Sequence, residues 1–398
     1  MIPRDGLRDC KNEVRLSVAQ VIGNLNWGGT QELLVYLAQR QQQEGLRLQV
    51  FVLSAPSETP YADRLIAENA PVTYLPRGRG GLVSQIRCLA RELTQSGVQL
   101  VHAHLRMANT VAPPAGALVG LPVLGGLHLP SPGLAWRARL RGLAESWSLR
   151  LASGGAVACA ASVGSDNRRR LGDLPIAVVP NPAPEALDIA RVEALRAASR
   201  ASVDPVRFLV VGRLSPEKGL DVILKAARRL AERDMSFRLS IVGDGTEKGF
   251  LQDLACELRL EDTVVFHGAS PDVPRLLATH DIYLSASRVE GMSISLLEAM
   301  AHAMPAIVTP AGGAFALIDE TVGRRVPPED PEAIARAMEE LAMDGALRRA
   351  LGRAAYDRVS NSHRVEDWSG ALCDLYRQML TGTSLAGAGR YFNDKYQP

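Results

Sequence analysis

Short runs of β-branched and aliphatic residues alternate along the whole chain with longer stretches of helical apolar periodicity. In the first half the short runs fall at Leu16–Ile22, Gln49–Leu53, Val72–Leu75, Leu100–Ala103, Val123–Gly126, Ala156–Cys159 and Ala177–Val179. Stretches such as Gln31–Gln43 and Leu82–Thr94 lie between them and read as helices. The second half repeats the scheme. Strands are predicted at Phe208–Val211, Leu239–Val242, Val264–Phe266, Ile282–Leu284, Ala306–Val308 and Gly323–Val326. Helices are predicted at Leu220–Arg233, Glu247–Glu257, Ser293–His302, Pro331–Met343 and Gly345–Tyr356. Such alternation predicts parallel sheets with helices on both faces. Two runs of similar length predict an α/β fold of two Rossmann-like domains facing a cleft.

The chain's 398 residues exceed one ordinary core, which agrees with two domains. The prolines of Asn181-Pro182-Ala183-Pro184 and the polar stretch up to Asp204-Pro205 interrupt both patterns. The predicted division is therefore 1–184 and 185–380, with 381–398 a loosely held tail. The helical pattern over Val365–Leu380 is read as crossing back onto the first domain.

Composition changes this picture little: 46% hydrophobic and 22% charged residues describe an ordinary globular protein. Charge changes it more. Net charge is only +2, yet residues 1–184 hold 19 Lys+Arg against 12 Asp+Glu, and the remainder 26 against 31. A basic first half points either to an anionic partner, a phosphate-bearing substrate or a lipid surface, or to incidental surface charge. The five cysteines, Cys10, Cys88, Cys159, Cys256 and Cys373, are odd in number and form no CxxC pair. Neither a disulfide framework nor a thiolate zinc site is indicated, which favours a reducing compartment. The polar segment Met1–Arg15 does not read as a signal peptide. The most apolar stretch, Val111–Leu129, contains three prolines and four glycines, which argue against a spanning helix. The expected location is cytoplasmic, with the inner face of a membrane as an option.

Candidate chemistry concentrates in the second half. Glu290 and Glu298 bracket Gly291-Met292-Ser293, with a strand leading in and a helix beginning between them. In an open α/β sheet that place binds ligands. Two carboxylates there, with free amides between them, suit the hydroxyls of two sugars. Upstream, the strand ending at Val211 runs into Gly212-Arg213-Leu214-Ser215-Pro216-Glu217-Lys218-Gly219. A lysine at a helix start opposes the helix dipole, but Arg213 and Lys218 become favourable once an anion such as a diphosphate sits between them. Read alone, they are equally two solvated cations. Val242-Gly243-Asp244-Gly245 follows the next strand and allows close backbone approach to a ligand.

The first half carries weaker signals. Gly28 and Gly29, after the first strand, open a helix start to an incoming phosphate, or else form a plain turn. The loop lacks a GxGxxG pattern, which disfavours a dehydrogenase. His102, His104 and His128 all follow strand ends. A metal would need further ligands, and no cysteine or carboxylate lies close by in sequence. His128 is accordingly read as a hydrogen-bonding group in a cleft and His102 as structural. Between Leu134 and Leu151, apolar Trp136, Leu140, Leu143, Trp147 and Leu151 recur among Arg137, Arg139, Arg141 and Arg150. Two readings stay open: a helix lying on an anionic membrane, or a core-facing helix with a basic outer face.

Together these residues resemble the family 4 glycosyltransferases, retaining enzymes of GT-B architecture, over roughly residues 14–380. The resemblance rests on Gly212-Arg213, Glu217-Lys218-Gly219, Val242-Gly243-Asp244-Gly245, Phe266-His267-Gly268, the Glu290/Glu298 pair and Pro327-Pro328-Glu329-Asp330-Pro331, in that order. It implies transfer of a sugar from a nucleotide-sugar, UDP-sugar first, to a sugar, lipid-linked or small-molecule acceptor. No metal or other cofactor and no nucleic acid is implied. Arg213 and Lys218 would hold the donor diphosphate, with Gly212, Gly243 and Asp244 around it. Glu290 and the amides of Gly291, Met292 and Ser293 would bind the transferred sugar, and Glu298 the ribose. The His267 turn would frame the base, Gly28 and Gly29 would approach the donor phosphate, and His128 would lie near the reacting sugar.

Three positions depart from the family pattern. Gly28-Gly29-Thr30-Gln31-Glu32 stands for Gly-Gly-x-Glu-Arg, Asn181-Pro182-Ala183-Pro184 for Asn-Gly-Val-Asp, and Gly312-Gly313 precedes Ala314, Phe315 and Ala316 in place of a glutamate. A sugar-nucleotide epimerase or phosphorylase of the same fold, or a non-catalytic sugar-nucleotide-binding subunit, are the competing expectations.

Overall fold

The computed structural model describes residues 15–78, 80–131, 136–184, 188–198 and 205–383, the side chains of 136–141 excepted. It contains two sheets, every pairing of which is parallel. The first comprises β1 (Leu16–Ile22), β2 (Leu46–Val52), β3 (Val72–Tyr74), β4 (Leu100–His104), β5 (Val123–Leu127), β6 (Gly155–Ala158) and β7 (Ile176–Val178). Their order is β3-β2-β1-β4-β5-β6-β7. The second comprises β8 (Val206–Val211), β9 (Phe237–Val242), β10 (Val264–Gly268), β11 (Ile282–Ser285), β12 (Ala306–Val308) and β13 (Gly323–Arg325), ordered β10-β9-β8-β11-β12-β13. In both sheets the order reverses beside the first strand. Loops leaving the carboxyl ends of β1 and β4, and of β8 and β11, therefore diverge and open a crevice.

The central strands are buried on both faces, as parallel sheets require: all of β4 and β5 and most of β1 are inaccessible. One apolar cluster runs from Val18 and Leu34 through Leu297 and Met300 to Leu372 and Tyr376, so the two domains share core. The helix Val365–Thr381 lies on the first sheet, where Tyr376 meets Gln20 and Ser369 Oγ donates to Glu44.

Three elements go beyond the sequence reading or decide between its alternatives. The stretch taken as an interdomain linker contains a helix, Ile189–Ala198. Its sequence, Ile-Ala-Arg-Val-Glu-Ala-Leu-Arg-Ala-Ala, is made largely of strong helix formers. Arg196 docks it by donating to the carbonyls of His302 and Ala303 at 2.7 and 3.1 Å. The rest of that linker, 185–187 and 199–204, lies outside the described residues, as do most of the tail and the segment 1–14.

Second, a helix runs over Leu105–Leu118 with Pro113 and Pro114 inside it. Pro114 cannot donate to the Thr110 carbonyl, and Ser148 Oγ donates there instead at 3.1 Å. Third, the helix Trp136–Ala152 turns Leu143, Trp147 and Leu151 outward, at 55%, 64% and 74% exposed. Glu145, only 4% exposed, faces inward with Ser146 and Leu149. Asn109 Nδ2 donates to Glu145 at 2.9 Å, and Arg170 and Arg106 pair with it at 3.2 and 3.7 Å. A buried carboxylate this well partnered can occupy the inner face, which turns the apolar stripe out. The side chains of Arg137, Arg139 and Arg141 lie outside the described residues. No described helix is long and apolar enough to cross a membrane.

Candidate active site

The loops after β8 and β11 leave the second sheet side by side. After Arg213, residues Pro216–Lys218 form a short 3-10 turn and Gly219 starts the next helix. The amide of Arg288 donates to the Glu217 carbonyl at 2.7 Å, tying this turn to the second loop. The result is an ion pair: Lys218 Nζ lies 2.5 Å from Glu290 Oε2, and Ser287 Oγ donates to the same oxygen at 3.1 Å. The picture of an open, unpaired cation describes Arg213, which is exposed and has no ion pair among the described residues. It does not hold for Lys218. A mostly buried ammonium takes an internal counterion, and Glu290 is within reach because β8 and β11 are neighbours.

The remaining donor-side candidates gather at the same sheet end. Gly243 follows β9 with φ +141, and a side chain there would overlap the carbonyl of Gly212. Asp244 is exposed; the Gly245 amide and Lys248 hold its carboxyl below the usual range. His267 is exposed at the end of β10, its Nε2 3.1 Å from Ser240 Oγ. Ser293 caps the helix Ile294–Ala301 by accepting from the Leu296 amide at 3.3 Å.

The two glutamates sit in different electrostatic surroundings. Glu298 is not beside Lys218; burial, then the neighbouring carboxylate of Glu32, push its carboxyl up to about 8, against the opposing effect of Arg64. Glu32 belongs to the first domain and pairs with Arg64 through two bonds of 2.8 and 2.5 Å. Sequence reasoning did not find Arg64. The available signal was Glu32 itself, an acid where the family pattern has an arginine.

The first domain closes on this segment at three points. A side chain on Gly291 would overlap the carbonyl of His128, and one on Gly29 would lie 2.8 Å from Ile294. Asn181 Nδ2 donates to the Met292 carbonyl at 3.0 Å. Gly28, Gly29, His128, Gly291, Met292 and Ser293 are thus brought together, and Asn181, noted only as a departure from pattern, proves to be an interdomain tether.

Behind His128 lie the other two imidazoles. Ring centres are 4.1 Å apart for His102 and His104 and 5.5 Å for His104 and His128. Burial holds all three well below the usual histidine range, His128 at about 4 and His102 at about 3. They line a cavity of about 20 Å³ with Cys159, Asn181 and Trp368. Among the described residues no group of three His, Cys, Asp or Glu is arranged to hold a metal.

The chain has known relatives. The family described as Glycosyl transferases group 1 matches residues 191–358, and Glycosyltransferase Family 4 matches residues 27–186. The chain is a family 4 glycosyltransferase. It is 27% identical to a D-inositol 3-phosphate glycosyltransferase of Saccharomonospora viridis, covering 94% of this chain and 95% of that one. It is 30% identical to the lipopolysaccharide core biosynthesis glycosyltransferase LpsE of Rhizobium meliloti, over 46% of this chain and 53% of the relative. Anabaena HepE, whose structure contains UDP and glucose, superposes with a TM-score of 0.76 at 18% identity, covering 91% of this chain and all of HepE. The fold of this family 4 transferase is thus the GT-B arrangement of two α/β domains.

Proposed function

We propose that this enzyme is a retaining, metal-independent transferase that moves a sugar from a UDP-sugar to a hydroxyl of an envelope polysaccharide or glycolipid acceptor. The observation that carries the reading is the Lys218–Glu290 pair at the β8/β11 crevice, beside exposed Arg213. Departure of the nucleotide builds negative charge on its diphosphate. Arg213 and Lys218 receive that charge, which lowers the barrier without a Lewis acid. A diphosphate arriving there competes with Glu290 for Lys218 and frees the carboxylate to accept from hydroxyls of the transferred sugar. Gly291, Met292 and Ser293 add amides at the helix start, Glu298 faces the ribose, and the Gly243, Asp244 and His267 turns border the nucleotide. His128, Gly28 and Gly29 close on the sugar from the opposite wall. The donor phosphate takes the acceptor's proton on the face the leaving group vacates, so anomeric configuration is kept. UDP is preferred because HepE was solved with it, and an envelope setting because LpsE acts in lipopolysaccharide core synthesis. The exposed Leu143, Trp147 and Leu151 support contact with an anionic membrane, where such acceptors reside.

Incubation with UDP-sugars tests the reading. Transfer to an added acceptor, with UDP released, is expected. Lys218→Ala should lower kcat by roughly a hundred- to a thousand-fold, the scale of losing one charge-stabilising group, while thermal unfolding stays within a few degrees. Formation of an epimeric UDP-sugar without acceptor would replace this reading by the epimerase one.

A further inference from the structure

His128 stands at the end of a line of hydrogen-bonding groups that reaches through the first sheet to the last helix. Its Nε2 lies 3.3 Å from His104 Nδ1, and His104 Nε2 lies 2.7 Å from Gln20 Oε1. Gln20 Nε2 is 3.3 Å from Tyr376 Oη, which in turn is 2.8 Å from His102 Nδ1. Gln20 and Tyr376 are wholly buried, and His102 and His104 nearly so. Burial also keeps the three imidazoles neutral near pH 7, so each ring carries one proton.

In this line Gln20 alone has two chemically distinct ends. Its oxygen only accepts and its nitrogen only donates. The distances favour the oxygen towards His104. Turning the amide over would set two nitrogens 2.7 Å apart at His104, whereas 2.7 Å is an ordinary N–H···O distance. His104 must then present N–H at Nε2, which leaves its Nδ1 bare. A bare Nδ1 can only accept, so His128 must carry its proton on Nε2. Tyr376, having accepted from Gln20, directs its own proton to His102. Every proton in the line points away from the cleft, and the ring nitrogen left over at the cleft end is Nδ1 of His128. That atom has no partner among the described residues, and the His128 carbonyl abuts Gly291 next to Glu290.

We propose that Gln20, acting through His104, fixes His128 in its Nε2-protonated form, so that the cleft histidine accepts a hydrogen bond from a substrate hydroxyl. Tyr376 holds the Gln20 amide in the orientation that achieves this. Gln20, His104 and Tyr376 are positioning residues, buried away from the cleft. The proposal rests on the transferase reading only for the identity of that hydroxyl.

Two-bond ¹⁵N–¹H spectra of histidine-labelled protein read the ring tautomers directly and need no substrate. The wild type is expected to show Nε2-protonated His104 and His128; an Nδ1-protonated His128 overturns the proposal. Gln20→Met removes both ends of the amide, and His128 should become a mixture of tautomers. Tyr376→Phe keeps the ring packing but frees the amide to turn, and should shift His128 the same way if Gln20→Met does not fold. An unchanged His128 tautomer in every folded variant overturns the proposal. In transfer assays kcat should fall roughly ten-fold, the effect of one neutral hydrogen bond, with KM for the donor within two-fold. A shifted tautomer with undiminished kcat also overturns the substrate role. Absence of transfer by the wild type would instead sink the transferase reading and leave the spectra to decide the relay.

Discussion

The two walls of the cleft solve the problem of placing polar groups in a crevice by opposite means. The second domain uses charge: Lys218 is paired with Glu290, and Arg213 stands open to solvent. The first domain uses neutrality: the buried imidazoles of His102 and His104 and the half-buried one of His128 are held uncharged and joined to Gln20 and Tyr376. A charged wall can respond to an arriving anion by exchanging partners. A neutral wall cannot, but it presents a fixed pattern of donors and acceptors. On the proposed function, the difference separates receiving a leaving group, which needs charge, from orienting a sugar, which needs geometry.

The largest effect should come from forcing the walls apart. The Gly291 backbone rests against the His128 carbonyl, and a methyl group has no room there, with Cys159 Sγ also 3.2 Å from its place. Because the obstacle is backbone, one wall must move. Gly291→Ala should lower unfolding stability by about 1–3 kcal/mol, the usual scale of overpacking, and lower kcat at least ten-fold, since small misplacements of positioned groups cost that much. Denaturant melts and steady-state kinetics check both. Normal turnover would mean that the contact between the walls has no part in assembling the site.

Both walls should also fail on opposite sides of neutral pH. The imidazoles have folded pKa values below the ordinary value near 6.5, so below that pH the unfolded chain binds more protons than the folded one. Their contribution is present above pH ~6.5 and is lost as pH falls towards ~4, by several kcal/mol over the three rings. Glu298 behaves in reverse. Its folded pKa of about 8 lies above the unfolded one near 4.5. Its contribution is complete below ~4.5 and is lost as pH rises through 8, by about 1–2 kcal/mol after discounting for its partial exposure. Denaturant unfolding between pH 4.5 and 9 should show both limbs, and Glu298→Gln should flatten the alkaline one alone. A variant that leaves that limb unchanged would show that Glu298 ionises freely in the folded protein.

The two walls were also unequally legible in the sequence. The thirteen strands among the described residues were all placed within about three residues, because strands buried on both faces announce themselves as apolar runs. The second wall was legible because its groups sit in short loops at consecutive strand ends. What could not be read was the partnership of Lys218 with Glu290, 72 residues away, which depends on β8 lying beside β11. The first wall hid more. Its line joins groups from β1, β4, the end of β5 and the last helix, with Gln20 and Tyr376 356 residues apart. No local spacing encodes that contact. The two prolines inside Leu105–Leu118 hid a helix, because the hydroxyl that makes good one lost bond belongs to Ser148 on another helix.

The smallest effect concerns the outer face of the first domain, which stands to its inner wall as apolar to polar. Periodicity in Trp136–Ala152 identified an apolar stripe but not the side it faces, and Glu145 with its arginine and asparagine partners settles it inward. The stripe of Leu143, Trp147 and Leu151 is thereby exposed without contributing to the core. Replacing Trp147 and Leu151 by serine should leave the melting temperature within a degree or two, as surface changes usually do. If the stripe meets an anionic bilayer, the double variant should co-sediment several-fold less with phosphatidylglycerol vesicles, while transfer to a soluble acceptor is unchanged. Each large apolar side chain contributes only about 1.5–3 kcal/mol when fully buried and less in an interface. Equal sedimentation of wild type and variant would remove this face from the membrane account. A large drop in melting temperature would return the stripe to the protein's own packing.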